Sequence, residues 1–241
     1  MDKTNFAENC INWLKDYFNS QGNPKAVVGI SGGKDSTVVA WLCAKALGKE
    51  NVVGVLMPNG FQKDIDDSYE VVNTLGIKHK VIDISKAYNC FLDLENVLPS
   101  EQAKINLVPR LRMTALYFVA QSLRGRVVGT GNLCERILGY FTLWGDSACD
   151  LNPIGNMLVS EVIALGRELG APEHLLVKAP SDGLSGMTDE EKIGFTYEEL
   201  EKFLREGKES VSKETADKIE KRREAVLWKW LITTRGVPIF G

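Results

Sequence analysis

Val27-Val28-Gly29-Ile30-Ser31-Gly32-Gly33-Lys34-Asp35-Ser36-Thr37 joins a short valine-rich run to a turn of glycines and hydroxyls, and then to a helical pattern. Lys25 to Ile30 has the length and β-branched content of an interior parallel strand, while Thr37 to Leu47 carries apolar residues at helical spacing before Gly48. Gly32 and Gly33 let successive backbone N–H groups turn inward, and a helix start adds N–H groups that have no acceptor within the helix. The junction therefore suits an anion. Lys34 adds positive charge, and Asp35 can hold a divalent ion beside phosphates. Neither G-x-x-x-x-G-K-[ST] nor G-x-G-x-x-G is present, so this is a different phosphate turn. Placing Ser31, Lys34, Asp35 and Ser36 in a buried turn is costly unless something satisfies them.

Outward from this turn, strands and helices alternate. Residues 4 to 19 carry Phe6, Cys10, Trp13, Leu14, Tyr17 and Phe18 at helical spacing, and Gly22-Asn23-Pro24 ends that helix. Val52 to Met57 reads as a second strand stopped by Pro58-Asn59-Gly60, Asp64 to Leu75 as a helix, and Lys80 to Ile84 as a third strand. Ile105 to Leu123 is helical in character, with Pro109 marking a first turn or a kink. Arg126 to Thr130 supplies the fourth strand, closed by Gly129-Thr130-Gly131-Asn132. This order predicts an α/β fold, a three-layer sandwich with a mainly parallel, Rossmann-like sheet. Ligands of such sheets lie beyond the carboxyl ends of the strands, where Ser31 to Ser36, Pro58 to Lys63 and Thr130 to Glu135 converge.

Past residue 140 the pattern loosens. Val159 to Leu169 is a helix, Pro180 to Gly194 is a glycine-containing stretch with hydroxyls and acids, and 196 to 205 and 212 to 231 are helical before the apolar tail Gly236-Val237-Pro238-Ile239-Phe240. The expected organisation is a single unit over 1–241. It comprises a nucleotide-binding core at 20–140, a mobile active-site loop at 180–194 and a helical C-terminal extension at 196–241.

The chain has 241 residues, 44% of them hydrophobic, enough for a full core. Its 29 basic and 32 acidic residues form no general footprint for nucleic acid. Cys10, Cys43, Cys90, Cys134 and Cys149 show no C-x-x-C spacing and accompany no secretory signal, so a cytoplasmic protein with reduced thiols is expected. No apolar run reaches the length of a membrane span. Leu227, Trp228, Trp230, Leu231 and the earlier Leu116, Tyr117 and Phe118 are numerous enough to cover a homodimer interface as well as a core.

Asp35 and Glu135, far apart in sequence, sit on loops that converge above the sheet, an arrangement suited to Mg2+ beside a polyphosphate. Arg110 and Arg112 point in different directions on a helix, so one can clamp a substrate anion while the other ties the helix to its neighbours. Asp146, Asp150 and Asn152 can recognise sugar hydroxyls or amides, and can equally cap turns. No hydrolase triad is visible among His79, His174 and the cysteines. Charge neutralisation and positioning fit this inventory better than a tuned acid–base residue.

The turn Ser31-Gly32-Gly33-Lys34-Asp35-Ser36 resembles the pyrophosphate loop of the N-type ATP pyrophosphatases, enzymes of adenine nucleotide alpha hydrolase-like fold. With Gly129-Thr130-Gly131-Asn132, Glu135, Gly139-Tyr140-Phe141-Thr142, Gly145-Asp146, Asp150-Leu151-Asn152-Pro153-Ile154 and Thr188-Asp189-Glu190-Glu191, nearly the whole chain is similar to ammonia-dependent NAD synthetases. The resemblance implies a carbon–nitrogen ligase that adenylates the carboxylate of deamido-NAD with Mg-ATP, releases pyrophosphate, and forms NAD and AMP when ammonia attacks; the alternatives are a related ATP pyrophosphatase amidating another carboxylate and a non-catalytic nucleotide-binding regulator. It implies catalytic roles for Lys34, Asp35 and Glu135, with magnesium on the two carboxylates. ATP would contact Gly29, Ile30, Ser31, Gly32, Gly33, Lys34, Asp35, Ser36, Leu56, Met57, Gln62, Thr130 and Ser181, and deamido-NAD would contact Arg110, Asp150 and Lys229. It also implies a homodimer with dinucleotide sites at its interface, and no glutaminase region. The family commonly carries lysine where this chain has Leu143 and Val159, so the missing charge would come from Lys34, Lys178 or Lys229.

Overall fold

The structure, a computed structural model, describes residues 6–178 and 193–235. Four strands, β1 (Ala26–Gly29), β2 (Val52–Leu56), β3 (Lys78–Val81) and β4 (Arg126–Val128), pair in parallel in the order β3-β2-β1-β4. Around them run α1 (Phe6–Ser20), α2 (Lys34–Leu47), α3 (Ile65–Leu75), α4 (Ser85–Leu92), α5 (Glu101–Ser122), α6 (Leu133–Leu138), α7 (Val159–Leu169), α8 (Glu173–Leu176), α9 (Tyr197–Glu206) and α10 (Lys213–Arg235).

Alternation along the strands builds the layers. Val28, Leu56 and Val128 face a core shared with α1, α2, α3 and α7, whereas their neighbours Val27, Val55 and Val127 face the other side, beneath α5. Both faces are covered, so strands buried on two sides read as unbroken apolar runs. Helix α2 is enclosed: Ser36 to Cys43 are all buried, packed by α1 and α7 as well as the sheet. Each wholly buried leucine such as Leu42 or Leu165 contributes about 1.5–3 kcal/mol relative to exposure. That enclosure fixes the direction of the helix whose N-terminus follows the Ser31 turn.

The strand order also locates the crevice. The chain moves outward from β1 to β2 and β3, then returns across both to place β4 on the opposite side of β1. The reversal lies between β1 and β4, so a ligand crevice belongs at their carboxyl ends. A third apolar cluster, formed by Cys134, Leu138, Phe195, Tyr197, Leu200, Phe203 and Ile219, packs the C-terminal helices onto α6 beside that crevice.

Several boundaries depart from the sequence reading. Strand β3 runs from Lys78 to Val81 with every residue exposed, because it is an edge strand, and the apolar criterion slid the expectation to Lys80–Ile84. Helix α5 starts at Glu101, capped by the Ser100 hydroxyl, which accepts from the Ala103 N–H at 3.2 Å; Pro109 lies inside the helix and not in its first turn. Helices α4, α6 and α8 are too short for a periodicity argument. Leu116 and Tyr117 of α5 are half-buried against the sheet, while Phe118, Leu227 and Trp228 are exposed. The expected active-site loop falls almost wholly on residues 179–192 and the apolar tail on 236–241, both outside the described residues. Among the described residues no helix is long and apolar enough to cross a membrane.

Candidate active site

Residues 31 to 36 form a self-bonded turn. The Ser31 N–H donates to Ser36 Oγ at 3.2 Å, the two hydroxyls lie 3.0 Å apart, the Gly33 N–H donates to Ser31 Oγ at 3.2 Å, and Ser36 Oγ donates to the Gly33 carbonyl at 3.1 Å. The hydroxyls thus shape the turn, leaving the first-turn N–H groups of α2 without acceptors inside the helix. Gly32 has φ +78°, and a Cβ there would lie 2.7 Å from Asp67 Cβ and 2.9 Å from the Ser68 nitrogen. Glycine is required by conformation and by the close approach of α3. At the end of β1, a Cβ on Gly29 would lie 3.3 Å from the Leu116 and Met57 side chains, and Ile30 is buried with its N–H on the Val55 carbonyl at 2.9 Å.

Opposite this turn, α6 carries Glu135 at its third position. Asn132 caps the helix: its Oδ1 accepts from the Glu135 N–H at 3.0 Å, and its own N–H donates to Glu135 Oε2 at 2.9 Å. The same carboxamide donates from Nδ2 to Asp35 Oδ1 at 3.0 Å. Asp35 and Glu135 therefore line one polar hollow with Ser31, Gly33, Ser36, Thr130, Gly131 and Asp146. The meeting of the two carboxylates above the sheet, expected from the sequence, is what the fold produces.

Electrostatics mark this hollow. Desolvation within the concave floor, followed by the nearby Asp35 carboxylate, pushes Glu135 up to about 8 against an ordinary 4.5, partly opposed by the Asn132 N–H and Lys34. Asp146 is open to solvent at the mouth but crowded on its other sides, and desolvation raises it too, opposed by the Thr142 N–H, which donates to its Oδ1 at 2.7 Å. Carboxylates gathered this closely suit a hard cation with oxygen ligands. Among the described residues no group of three or more His, Cys, Asp or Glu is arranged as a metal cage. The Asp35 and Glu135 carboxylates are the groups that could hold Mg2+, an ion ordinarily bound through one or two carboxylates plus phosphate oxygens and water. A raised Glu135 has a consequence for stability. Its proton is held more tightly in the folded state, so its contribution is present in full below about 4.5 and is lost as pH rises through about 8. Urea unfolding in a chelator across that interval should show Glu135→Gln with a flatter loss of stability than the parent; equal slopes would contradict the assignment.

The three lysines expected to replace family charge are placed differently. Lys34 is buried, its Nζ 3.1 Å from Asp35 Oδ2 and 5.9 Å from the centroid of the Tyr197 ring at the start of α9. Lys178 bridges Asp64, at 3.2 Å, and Asp67, at the start of α3 behind the phosphate turn. Lys229 donates to the Gly139 and Phe141 carbonyls at 2.6 and 2.7 Å, holding the loop that leads to Asp146. A Cβ on Gly139 would lie 2.5 Å from Val226 Cβ, so the same helix also clamps the end of α6. Of the three, Lys34 adjoins the hollow directly.

The other expected contacts are scattered around this centre. Arg110 is exposed, with Nε donating to the Leu143 carbonyl at 3.3 Å. Arg112 Nε donates to the Met57 carbonyl at 3.0 Å, so this arginine ties α5 to the end of β2, within the fields of Asp146 and Asp64. Leu56 is wholly buried, Met57 nearly so, and Gln62 is half-exposed. Asp150 does not line the hollow; its carboxylate accepts the Val127 N–H at 2.8 Å and the Tyr117 hydroxyl at 3.4 Å on the side of β4 away from β1, where Leu151 bridges Val128. Val159 begins α7 against the C-terminal cluster. Ser181 lies outside the described residues. Two residues received no role in the centre from sequence: Asn132, signalled by its N-x-x-E spacing to Glu135, and Asp146, read as a turn-capping or sugar- or amide-recognising residue.

A glycine-and-hydroxyl turn at a helix start, facing paired carboxylates at a topological switch point, belongs to an α/β fold of the adenine nucleotide alpha hydrolase type. The NAD synthase family profile matches residues 6–231. The NH(3)-dependent NAD(+) synthetase of Carboxydothermus hydrogenoformans is 42% identical over 210 residues, spanning 85% of this chain and 86% of that protein. Among solved structures, NMN synthetase from Francisella tularensis superposes with a TM-score of 0.87 at 36% identity, covering 95% of this chain and 96% of that one. NH3-dependent NAD synthetase from Campylobacter jejuni superposes with a TM-score of 0.78 at 28% identity, with the same coverage of each chain. The chain belongs to the NAD synthase family.

Proposed function

We propose that this protein is an ammonia-dependent NAD synthetase: it amidates the nicotinate carboxylate of deamido-NAD with ammonia at the expense of ATP. The observation that carries the reading is the convergence of Asp35 and Glu135 beside the Ser31–Ser36 turn. Triphosphate oxygens meet the N-terminus of α2 and the Lys34 ammonium, which stabilise charge accumulating on departing pyrophosphate. Asp35 and Glu135 would hold Mg2+, which would supply charge neutralisation to the same group. The acid's carboxylate oxygen attacks the α-phosphorus, the bond to pyrophosphate breaks, and an acyl adenylate forms. Ammonia then attacks the acyl carbon, AMP leaves with that oxygen, and the amide loses a proton. None of these steps needs a nucleophilic side chain, in keeping with thiols such as Cys43 and Cys134, which burial pushes up to about 12.

Thr130, Met57, Gln62 and Ser181 serve ATP in this reading, with Leu56 backing the adenine seat, and Arg110, Asp150 and Lys229 serve the dinucleotide, Lys229 by holding the 139–141 loop. A second copy of the chain covers exposed apolar residues of α5, including Phe118, and completes the dinucleotide site. The enzyme works in the cytoplasm. The test follows amide formation from deamido-NAD with Mg-ATP and either ammonium or glutamine, using nicotinate mononucleotide as a competing acid. Formation of NAD with ammonium, and not with glutamine, is expected. Amidation of the mononucleotide alone would overturn the choice of acid.

A further inference from the structure

Asn132 is wholly buried between the two loops, and capping α6 does not account for all of its contacts. The Glu135 N–H can only donate, so it fixes Oδ1 as the acceptor and turns Nδ2 toward Asp35. One residue thereby holds an oxygen of Asp35 through its side-chain amide and an oxygen of Glu135 through its main-chain N–H. Its own neighbourhood is fixed in turn, because Asn152 Nδ2 donates to the Gly131 carbonyl at 2.8 Å, immediately before Asn132. Serine, threonine or aspartate would cap the helix about as well as asparagine. A serine or threonine hydroxyl is too short to keep both contacts, and an aspartate would face Asp35 without a proton to donate.

We propose that Asn132 is a positioning residue that aligns the Asp35 and Glu135 carboxylates toward one divalent cation. The proposal rests on the magnesium reading of those carboxylates. By holding Asp35 Oδ1 and Glu135 Oε2, Asn132 turns Glu135 Oε1 and Asp35 Oδ2, the latter shared with the Lys34 ammonium at 3.1 Å, toward the ion, and it joins the β1 loop to the β4 loop across the switch point. Pre-orienting both carboxylates spares the ordering that metal binding would otherwise demand of them.

The test compares the parent, Asn132→Ser and Asp35→Asn, titrating Mn2+ by electron paramagnetic resonance in the presence of a non-hydrolysable ATP analogue, with thermal unfolding measured in parallel. Asn132→Ser keeps a capping hydroxyl, so its midpoint should stay close to that of the parent while its Mn2+ dissociation constant rises about 10- to 100-fold. Parental Mn2+ affinity in folded Asn132→Ser, together with loss of metal in Asp35→Asn, would overturn the positioning role and leave Asn132 as a cap. Parental affinity in Asp35→Asn would instead overturn the magnesium reading itself. Should the serine variant not fold, Asn132→Thr, which also keeps a capping hydroxyl, carries the same comparison.

Discussion

Asp35→Asn is expected to lower the magnesium-dependent rate at saturating ATP, acid and ammonia by roughly 100- to 1,000-fold. The substitution keeps the volume of the side chain, and its carbonyl oxygen can still accept from Asn132 Nδ2. What disappears is one of the two carboxylate charges that would hold the cation, along with one ion-pair partner of the buried Lys34 ammonium. Stability should change little by comparison, because loss of a favourable charge in the first turn of α2 is offset by relief of repulsion toward Glu135. Steady-state rates across a magnesium titration, with unfolding midpoints as a control, separate the two effects. Retention of the full rate would defeat the role assigned to Asp35.

Gly32→Ala is expected to destabilise the fold by about 2–4 kcal/mol and to impair ATP use in whatever folded protein remains. The residue sits at φ +78°, and its missing Cβ points at the Asp67 side chain and the Ser68 nitrogen of α3, which cannot retreat as a flexible side-chain tip would. Asp67 is itself bridged by Lys178 to Asp64, so movement there would disturb a linked set of ion pairs. Urea denaturation and the KM for ATP report the two consequences. An alanine variant with parental stability would show that the turn tolerates a side chain, contrary to the packing described.

The sequence made the centre of this fold legible because its constraints are local. A valine run of the right length, a glycine turn and a helical pattern can each be read within a dozen residues. The alternation of β1, β2 and β4 then follows from the need to cover both faces of a parallel sheet. Less legible were elements whose residues do not report burial. Strand β3 is exposed along its length, and α4 and α6 are short. For the site, Asp35 and Glu135 could be brought together by topology alone, but the bridge between them could not, because Asn132 shows from sequence only its capping role. The lysines illustrate the same limit. Charge at positions 34, 178 and 229 is visible in the sequence, whereas its commitment to Asp35, to the Asp64–Asp67 pair and to the carbonyls of residues 139 and 141 depends on tertiary contacts.

The central claim is that the carboxylate of the acid is activated by adenylation in the hollow between β1 and β4. The direct measurement supplies deamido-NAD labelled with 18O in the nicotinate carboxyl group, together with Mg-ATP and ammonium, and analyses the nucleotide products by mass spectrometry. Attack on the α-phosphorus predicts AMP carrying one 18O atom, unlabelled pyrophosphate and NAD retaining the other label in its amide. Formation of ADP with the label in inorganic phosphate, or of unlabelled AMP, would contradict it.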